Sequence, residues 1–320
     1  MKFKFNLLLL IALLTFGLSP AQVSVGRSSV GKFQDFRKGE YKTIKSKNTV
    51  FVVDQFDTAE FDAMLKDVWT ITPYQVVSKE DYSKSGNLYF NEKNAIWILD
   101  GDVTTKKDFK TGVNTGEYLH VYYKYFYPTD IKTDKKNKQT YTYNLIASLF
   151  LSPNTDASWD IIGSHQLGNP HEQFQNYSLG YFKNYLQFVN NVIEINGYSF
   201  IYDRDYKQKE IKALKKNTLY VPDYFKNKST WGWSEKTRKD PDKLFKKYGY
   251  KYEYIDREAL SEKIVNATED FYYISYLRVN SQKFIAIING RTGDILYKDY
   301  QTMSYEIKPK DLKKLAKKIK

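Results

Sequence analysis

A rhythm that occurs twice constrains the fold of this chain more than any other feature. "TVFVVD" (Thr49 to Asp54) is a continuous β-branched and aromatic run. In the "TAEFDAMLKDVW" that follows, Phe61, Leu65 and Val68 recur at helical spacing behind Thr58 as a cap. "PYQVVS" (Pro73 to Ser78) reads as a second strand, "KEDYSKS" as a short helix or turn, and "NAIWILD" (Asn94 to Asp100) as a third, buried strand. The order returns in "NTLYVPD" (Asn217 to Asp223), "DPDKLFKKY", "KYEYID", "REALSEKIVN" and "FYYISYLRV". There Asp240 is the expected cap and Pro241 the first-turn residue, where a missing N–H costs nothing. Second strand to third strand takes twenty-one residues in one copy and twenty in the other. The second copy is longer between its first two strands, and the excess falls in "KNKSTWGWSEKTRK", a polar surface loop.

Both copies continue into antiparallel structure. "KFIAIINGRTGDILYKDY" holds two apolar runs around Asn289-Gly290, a pair that tolerates positive φ and favours a hairpin. "EYLHVYYKYFYPTD" and "QTYTYNLIASLFLSP" play that part in the first copy. Between the copies, Phe174, Tyr177, Tyr181, Tyr185, Phe188 and Val192 line one face of an expected long helix that Gly197 stops. So wide an aromatic stripe reads as core or domain interface rather than as a ligand site. The expected fold is α/β (α+β mixed): two similar βαβαβ units, each extended by antiparallel strands, joined by a long central helix. Its divisions are a signal peptide at 1–21, an extension at 22–48, a first unit at 49–168, a linking helix region at 169–216, a second unit at 217–305 and a basic helix at 306–320.

The ends speak to compartment. Lys2 and Lys4 precede an apolar run from Phe5 to Leu18, then "SPAQ", the pattern of a secretory leader cut after Ala21. That run is shorter than the roughly 20 residues that span a bilayer. The expected location is therefore exported, periplasmic or extracellular, and not integral to the membrane. The chain has 0 cysteines, which excludes a lipid-anchored export, disulfides and thiolate metal sites, so a hydrophobic core must supply stability. The formal net charge is +13, spread along a chain rich in Lys, Asn, Tyr, Ile and Phe, which reads first as AT-rich codon bias.

Several motifs imitate chemistry. "GRSSVGKF" (Gly26 to Phe33) lacks the hydroxyl residue that a phosphate loop places after its lysine. "DGDVTTKKDFKT" begins like a calcium loop but carries Thr111 where a glutamate is needed, so a turn around Asp100 and Asp102 is expected. His165, His171 and Glu172 lie close in sequence, but Gly168 and Pro170 interrupt them and Asn169 reads as a helix cap; the third histidine is His120. No metal or cofactor is expected. Asp54, Asp100 and Asp223 end strands, where α/β crevices bind ligands, and they are the candidates for a small-ligand binder or hydrolase. Trp231 and Trp233, flanked by Lys228 and Lys236, could stack on a sugar, enter a partner, or plug their own domain. In the tail, Leu312, Leu315, Ala316 and Ile319 share one face while Lys313, Lys317 and other lysines cover the rest. Such a helix either lies on an anionic membrane or docks on its own sheet.

The βαβαβ cores resemble, at the level of fold, small α/β modules of exported envelope-assembly proteins, such as the amino-terminal domain of the Tol-system propeller family. The whole chain resembles uncharacterised exported proteins of Gram-negative bacteria. These resemblances imply an envelope protein that acts by binding or assembly rather than catalysis, and they transfer no site residue. The partners they leave open are an envelope protein or a glycan, with peripheral membrane contact through the C-terminal helix. Nucleic acid is not expected.

Overall fold

A computed structural model describes residues 22–29, 32–108, 110–133, 139–164, 166–229, 235–304 and 306–320. Strand β1 (Val23–Val25) leads into a hairpin, β2 (Arg27–Ser29) and β3 (Lys32–Gln34), and a short helix, α1 (Glu40–Lys45). Then come β4 (Asn48–Val53), α2 (Thr58–Lys66), β5 (Tyr74–Ser78), α3 (Lys79–Tyr89), and the long strands β6 (Asn94–Lys107), β7 (Asn114–Thr133) and β8 (Gln139–Phe150). Helices α4 (Thr155–Ser164), α5 (Pro170–Gln173) and α6 (Leu179–Glu194) follow. The second half runs β9 (Asp205–Tyr206), a 3-10 turn Glu210–Lys215, β10 (Leu219–Pro222), a 3-10 turn Asp223–Lys226, and the hairpin β11 (Asn227–Ser229) and β12 (Glu235–Thr237). A third 3-10 turn, Pro241–Leu244, precedes β13 (Tyr252–Ile255), α7 (Arg257–Val265), β14 (Tyr272–Val279), β15 (Gln282–Asn289), β16 (Ile295–Thr302) and α8 (Pro309–Ile319).

The large strands form two six-stranded mixed sheets, β1-β8-β7-β6-β4-β5 and β9-β16-β15-β14-β10-β13, with the same order and the same sequence of parallel and antiparallel pairs. The first is curled into a half-barrel, and register shifts between Tyr125 and Phe126 and between Thr129 and Lys132 supply local bends.

This architecture corrects the expected one of two βαβαβ units joined by a long central helix. Between β10 and β13 only 3-10 turns and a hairpin occur among the described residues, so that crossover is not a βαβ unit. The segment read as one long helix is broken. Phe174 is extended and bridges Pro153, and Asn176 accepts from Ser152 N–H (2.8 Å) and donates to the Phe150 carbonyl (3.1 Å). The helix begins only at Ser178, whose hydroxyl caps Tyr181 N–H. It ends at Glu194, and the chain turns away at Asn196, held at φ 52°, with Gly197 N–H bonded back to the Val192 carbonyl.

Nor does α6 join anything. It lies between the sheets, with Phe182, Leu186, Val189 and Ile193 in one continuous core with inner-face residues of the first sheet (Phe51, Trp97, Tyr123) and with Tyr273 and Leu277 of the second. On its second-sheet side, Gly180 approaches α7 so closely that a Cβ would sit 2.6 Å from the Ser261 carbonyl oxygen. Lys183 donates to the last carbonyls of α7, Ile264 (3.1 Å) and Val265 (2.7 Å). By register and face, α6 is the closing helix of the first half, as α8 is of the second. The layers run α3, first sheet, α2 with α6 and α7, second sheet, then α8.

Smaller differences have local causes. Asp57, one residue before Thr58, caps α2 by accepting from Glu60 N–H (2.9 Å). The "DGDVTT" segment is no turn, because β6 runs straight through it, paired with β7 as far as Lys107. At the Asn289-Gly290 turn, the left-handed residue is Gly293 (φ 72°), while Gly290 is needed because a Cβ there would meet the Phe271 ring.

Lys298 lies buried where the halves meet, donating to the Phe200 carbonyl (3.2 Å) with Asp203 at 3.5 Å. Burial lowers its pKa from 10.5 to about 8. Between those values the unfolded chain holds a proton that the folded one has lost, so this lysine adds stability as pH rises through that window. Denaturant titrations of wild type and Lys298→Met at several pH values should show a smaller alkaline gain in the variant.

Candidate functional site

The two sheets share an order, so pairing registers place their residues in correspondence. Thr49 pairs with Tyr74 and Ala95; Leu219 pairs with Tyr252 and Tyr272. On the face of the second sheet toward α6, fold alone asks for apolar residues: Leu277, Val279, Phe284 and Ala286 are all buried. The corresponding positions of the first sheet are Asp100, Asp102, Tyr122 and Lys124. They lie on its outer face, away from α6. Helix α3 covers only one end of that face, where Tyr82, Tyr89 and Phe90 pack on Val50, Val52, Ile96 and Phe126. The substitution of charge and hydroxyl for oil singles out the uncovered part, on β6, β7 and β8.

Its side chains form one connected surface. Lys124, with its side chain 11% exposed, reaches Asp100 at 3.4 Å and sits 3.7 Å from the Tyr143 ring centroid and 4.8 Å from that of Phe126. The ring is thereby held by cation–π attraction over a cation that is already paired. The Tyr122 hydroxyl donates to Asp102 (3.0 Å). Burial first, then the Asp100 and Asp102 charges, raises its pKa, so it stays a neutral donor. His120, beside Asp102, has its pKa lowered by burial, and its Nε2 meets the Asn280 amide at 3.3 Å. Tyr141 and Tyr143 remain 46% and 47% exposed, and Phe90 packs edge-on against Tyr141. An open shelf of aromatic rings beside fixed carboxylates and a phenol can hold a flat, hydroxyl-bearing ligand.

Of the residues chosen from sequence, Asp100 belongs to this shelf. Asp54 follows β4 on the same face, where Lys79 binds it at 2.6 Å. Asp223 follows β10 of the second sheet and opens a 3-10 turn, so it does not lie on the same sheet as Asp54 and Asp100. Trp231, Trp233 and His165 lie outside the described residues, as do residues 1–21. Lys313 and Lys317 are exposed on α8, whose apolar stripe is buried in the second core. His171 is structural: its Nε2 lies 2.9 Å from the Gln55 carbonyl and its ring packs on Phe56 and Tyr177. Among the described residues no group of three or more His, Asp or Glu is placed to hold a metal, and no helix is long and apolar enough to cross a membrane. Sequence reasoning missed Tyr122, Lys124, Tyr141 and Tyr143.

No protein-family description matches the chain, and no curated protein matches it.

Proposed function

We propose that the protein is exported and works by binding, with the outer shelf of the first sheet as its ligand surface and a saccharide as its ligand. Export rests on the basic, apolar and small-residue order of residues 1–21. The observation that carries the binding reading is the exchange of buried Leu277, Phe284 and Ala286 for Asp100, Tyr122 and Lys124 beside a half-exposed Tyr143. Tyr143 and Tyr141 offer ring faces to sugar C–H groups, while Asp100, Asp102 and Tyr122 offer hydroxyl partners. Catalysis is disfavoured because Asp54 and Asp100 are each neutralised by a lysine.

The test titrates mature protein with oligosaccharides released from Gram-negative cell wall and outer leaflet, followed by calorimetry. Tyr143→Ala should weaken binding about ten-fold, near 1.4 kcal/mol, without loss of fold, because the ring is half exposed. Unchanged affinity in both Tyr143→Ala and Asp100→Asn, or appearance of cleaved sugar, contradicts the proposal.

A further inference from the structure

The opposite end of the layered stack carries a second surface, built from three segments far apart in sequence. The 3-10 turns Glu210–Lys215 and Pro241–Leu244 pack beside α8 on the second sheet, and Ile211, Leu214, Leu244, Phe245, Leu312, Leu315 and Ile319 share one core beneath them. With these apolar side chains turned inward, the outer side presents lysine. Lys212 and Lys215, Lys246 and Lys247, and Lys313 and Lys317 are all exposed.

The acids are disposed differently. Asp311 of α8 points into the core, where it meets Lys283 at 2.6 Å, and Asp299 is buried against Lys314 at 2.6 Å. Exposed acids of the layer are Glu210, Asp240 and Asp242, of which Asp240 caps a turn and Asp242 accepts from the Tyr252 hydroxyl (2.9 Å). The corresponding helix, α6, uses Gly180 and Asn184 on its far side to fit α7 and Gly290. Lysines at that place in α8 forbid the same stacking and leave a cationic plane.

We propose that this lysine layer holds the protein against an anionic lipid surface, independently of the aromatic shelf. The contact is electrostatic and does not insert, because the apolar stripe of α8 is already used inside the protein. A nucleic acid or other single-stranded polyanion would call for a groove with exposed rings between the cations. Here Phe245 and Tyr248 are buried beneath the layer, Tyr250 and Tyr252 are partly buried, and Lys318 covers the Tyr206 ring at 4.1 Å.

The experiment sediments the mature protein with vesicles of equal parts phosphatidylglycerol and phosphatidylcholine, and with phosphatidylcholine alone. Binding should need phosphatidylglycerol and disappear at high salt. Each lysine near such a surface is worth roughly five-fold in partitioning, so Lys246→Glu/Lys313→Glu/Lys317→Glu should weaken it at least 100-fold by the same measure. Exposed positions keep the fold intact, which circular dichroism checks. Indifference of the wild type to phosphatidylglycerol, equal binding by the triple variant, or retention on heparin without vesicle binding each overturns the proposal.

Discussion

Raising the pH past about 10 should unfold this protein cooperatively within roughly one pH unit. Six tyrosines, Tyr123, Tyr125, Tyr177, Tyr181, Tyr185 and Tyr273, are buried at the centre of the stack, with exposures of 0 to 2%. Five of the hydroxyls serve interior partners: among them, Tyr125 meets Thr49 at 2.8 Å, Tyr123 meets Tyr177 at 2.9 Å, and Tyr273 donates to Asn184 at 3.1 Å. Burial raises all six pKa values above the ordinary 10.0. Above pH 10 the unfolded chain therefore releases six protons that the folded chain keeps. The folded state binds more protons, so stability falls as pH rises. Each group contributes about 1.4 kcal/mol per pH unit, and six together about 8, against a total stability of about 5–15 kcal/mol. The gain from Lys298 is smaller and ends as this loss begins. Phenolate absorbance and far-ultraviolet circular dichroism should change together; gradual ionisation with secondary structure intact to about pH 12 would contradict the burial argument.

Asp311→Ala should cost about 3–5 kcal/mol, because it strands a buried cation. Lys283 is 0% exposed, and its ammonium has Asp311 at 2.6 Å and the Glu306 carbonyl at 2.9 Å. Burial lowers the lysine pKa and the Asp311 hydrogen bond opposes that shift, so removing the carboxylate leaves the unfavourable part alone. Asp311 also accepts from Gln301 (2.8 Å) and from Lys308 N–H (2.8 Å). Its loss should lower the melting temperature by roughly 10 °C and make the chain near Lys308 sensitive to trypsin as α8 loosens. The paired change Lys283→Met/Asp311→Leu removes both charges and should recover most of the loss. A melting point within about 2 °C of wild type for Asp311→Ala would show that the pair contributes little.

Much of the local structure was readable from residue order. Runs such as Thr49 to Asp54 and Phe271 to Val279 are dense in β-branched and aromatic residues, and both became buried strands. Asp240 before Pro241 and Asn169 before Pro170 marked real starts, though each opens only a single turn. The shelf was less legible. In "HVYYKYFY" the alternation separates Tyr122, Lys124 and Phe126 from Tyr123, Tyr125 and Tyr127, yet tyrosines occupy both sets. Only the position of α6 decides that the second set is buried. The β6 extension was missed because Asp100, Gly101 and Asp102 favour turns locally, while pairing to Tyr122, Val121 and His120 across the ladder overrides that preference.

Taken alone, the order of amino acids determined the central strands of both sheets and the caps at Asn169 and Asp240, the reliance on a core without thiols, and the lysine coat of the last helix. Those properties follow from side-chain shape, spacing and charge over a few residues. Tertiary structure alone decided that α6 sits between two sheets rather than linking them, that Asp223 belongs to a different sheet from Asp54 and Asp100, and that the described residues leave part of one face of the first sheet uncovered. A period of two residues defines two faces of a strand, but which face meets a covering layer depends on segments far along the chain, through packing that no local pattern encodes.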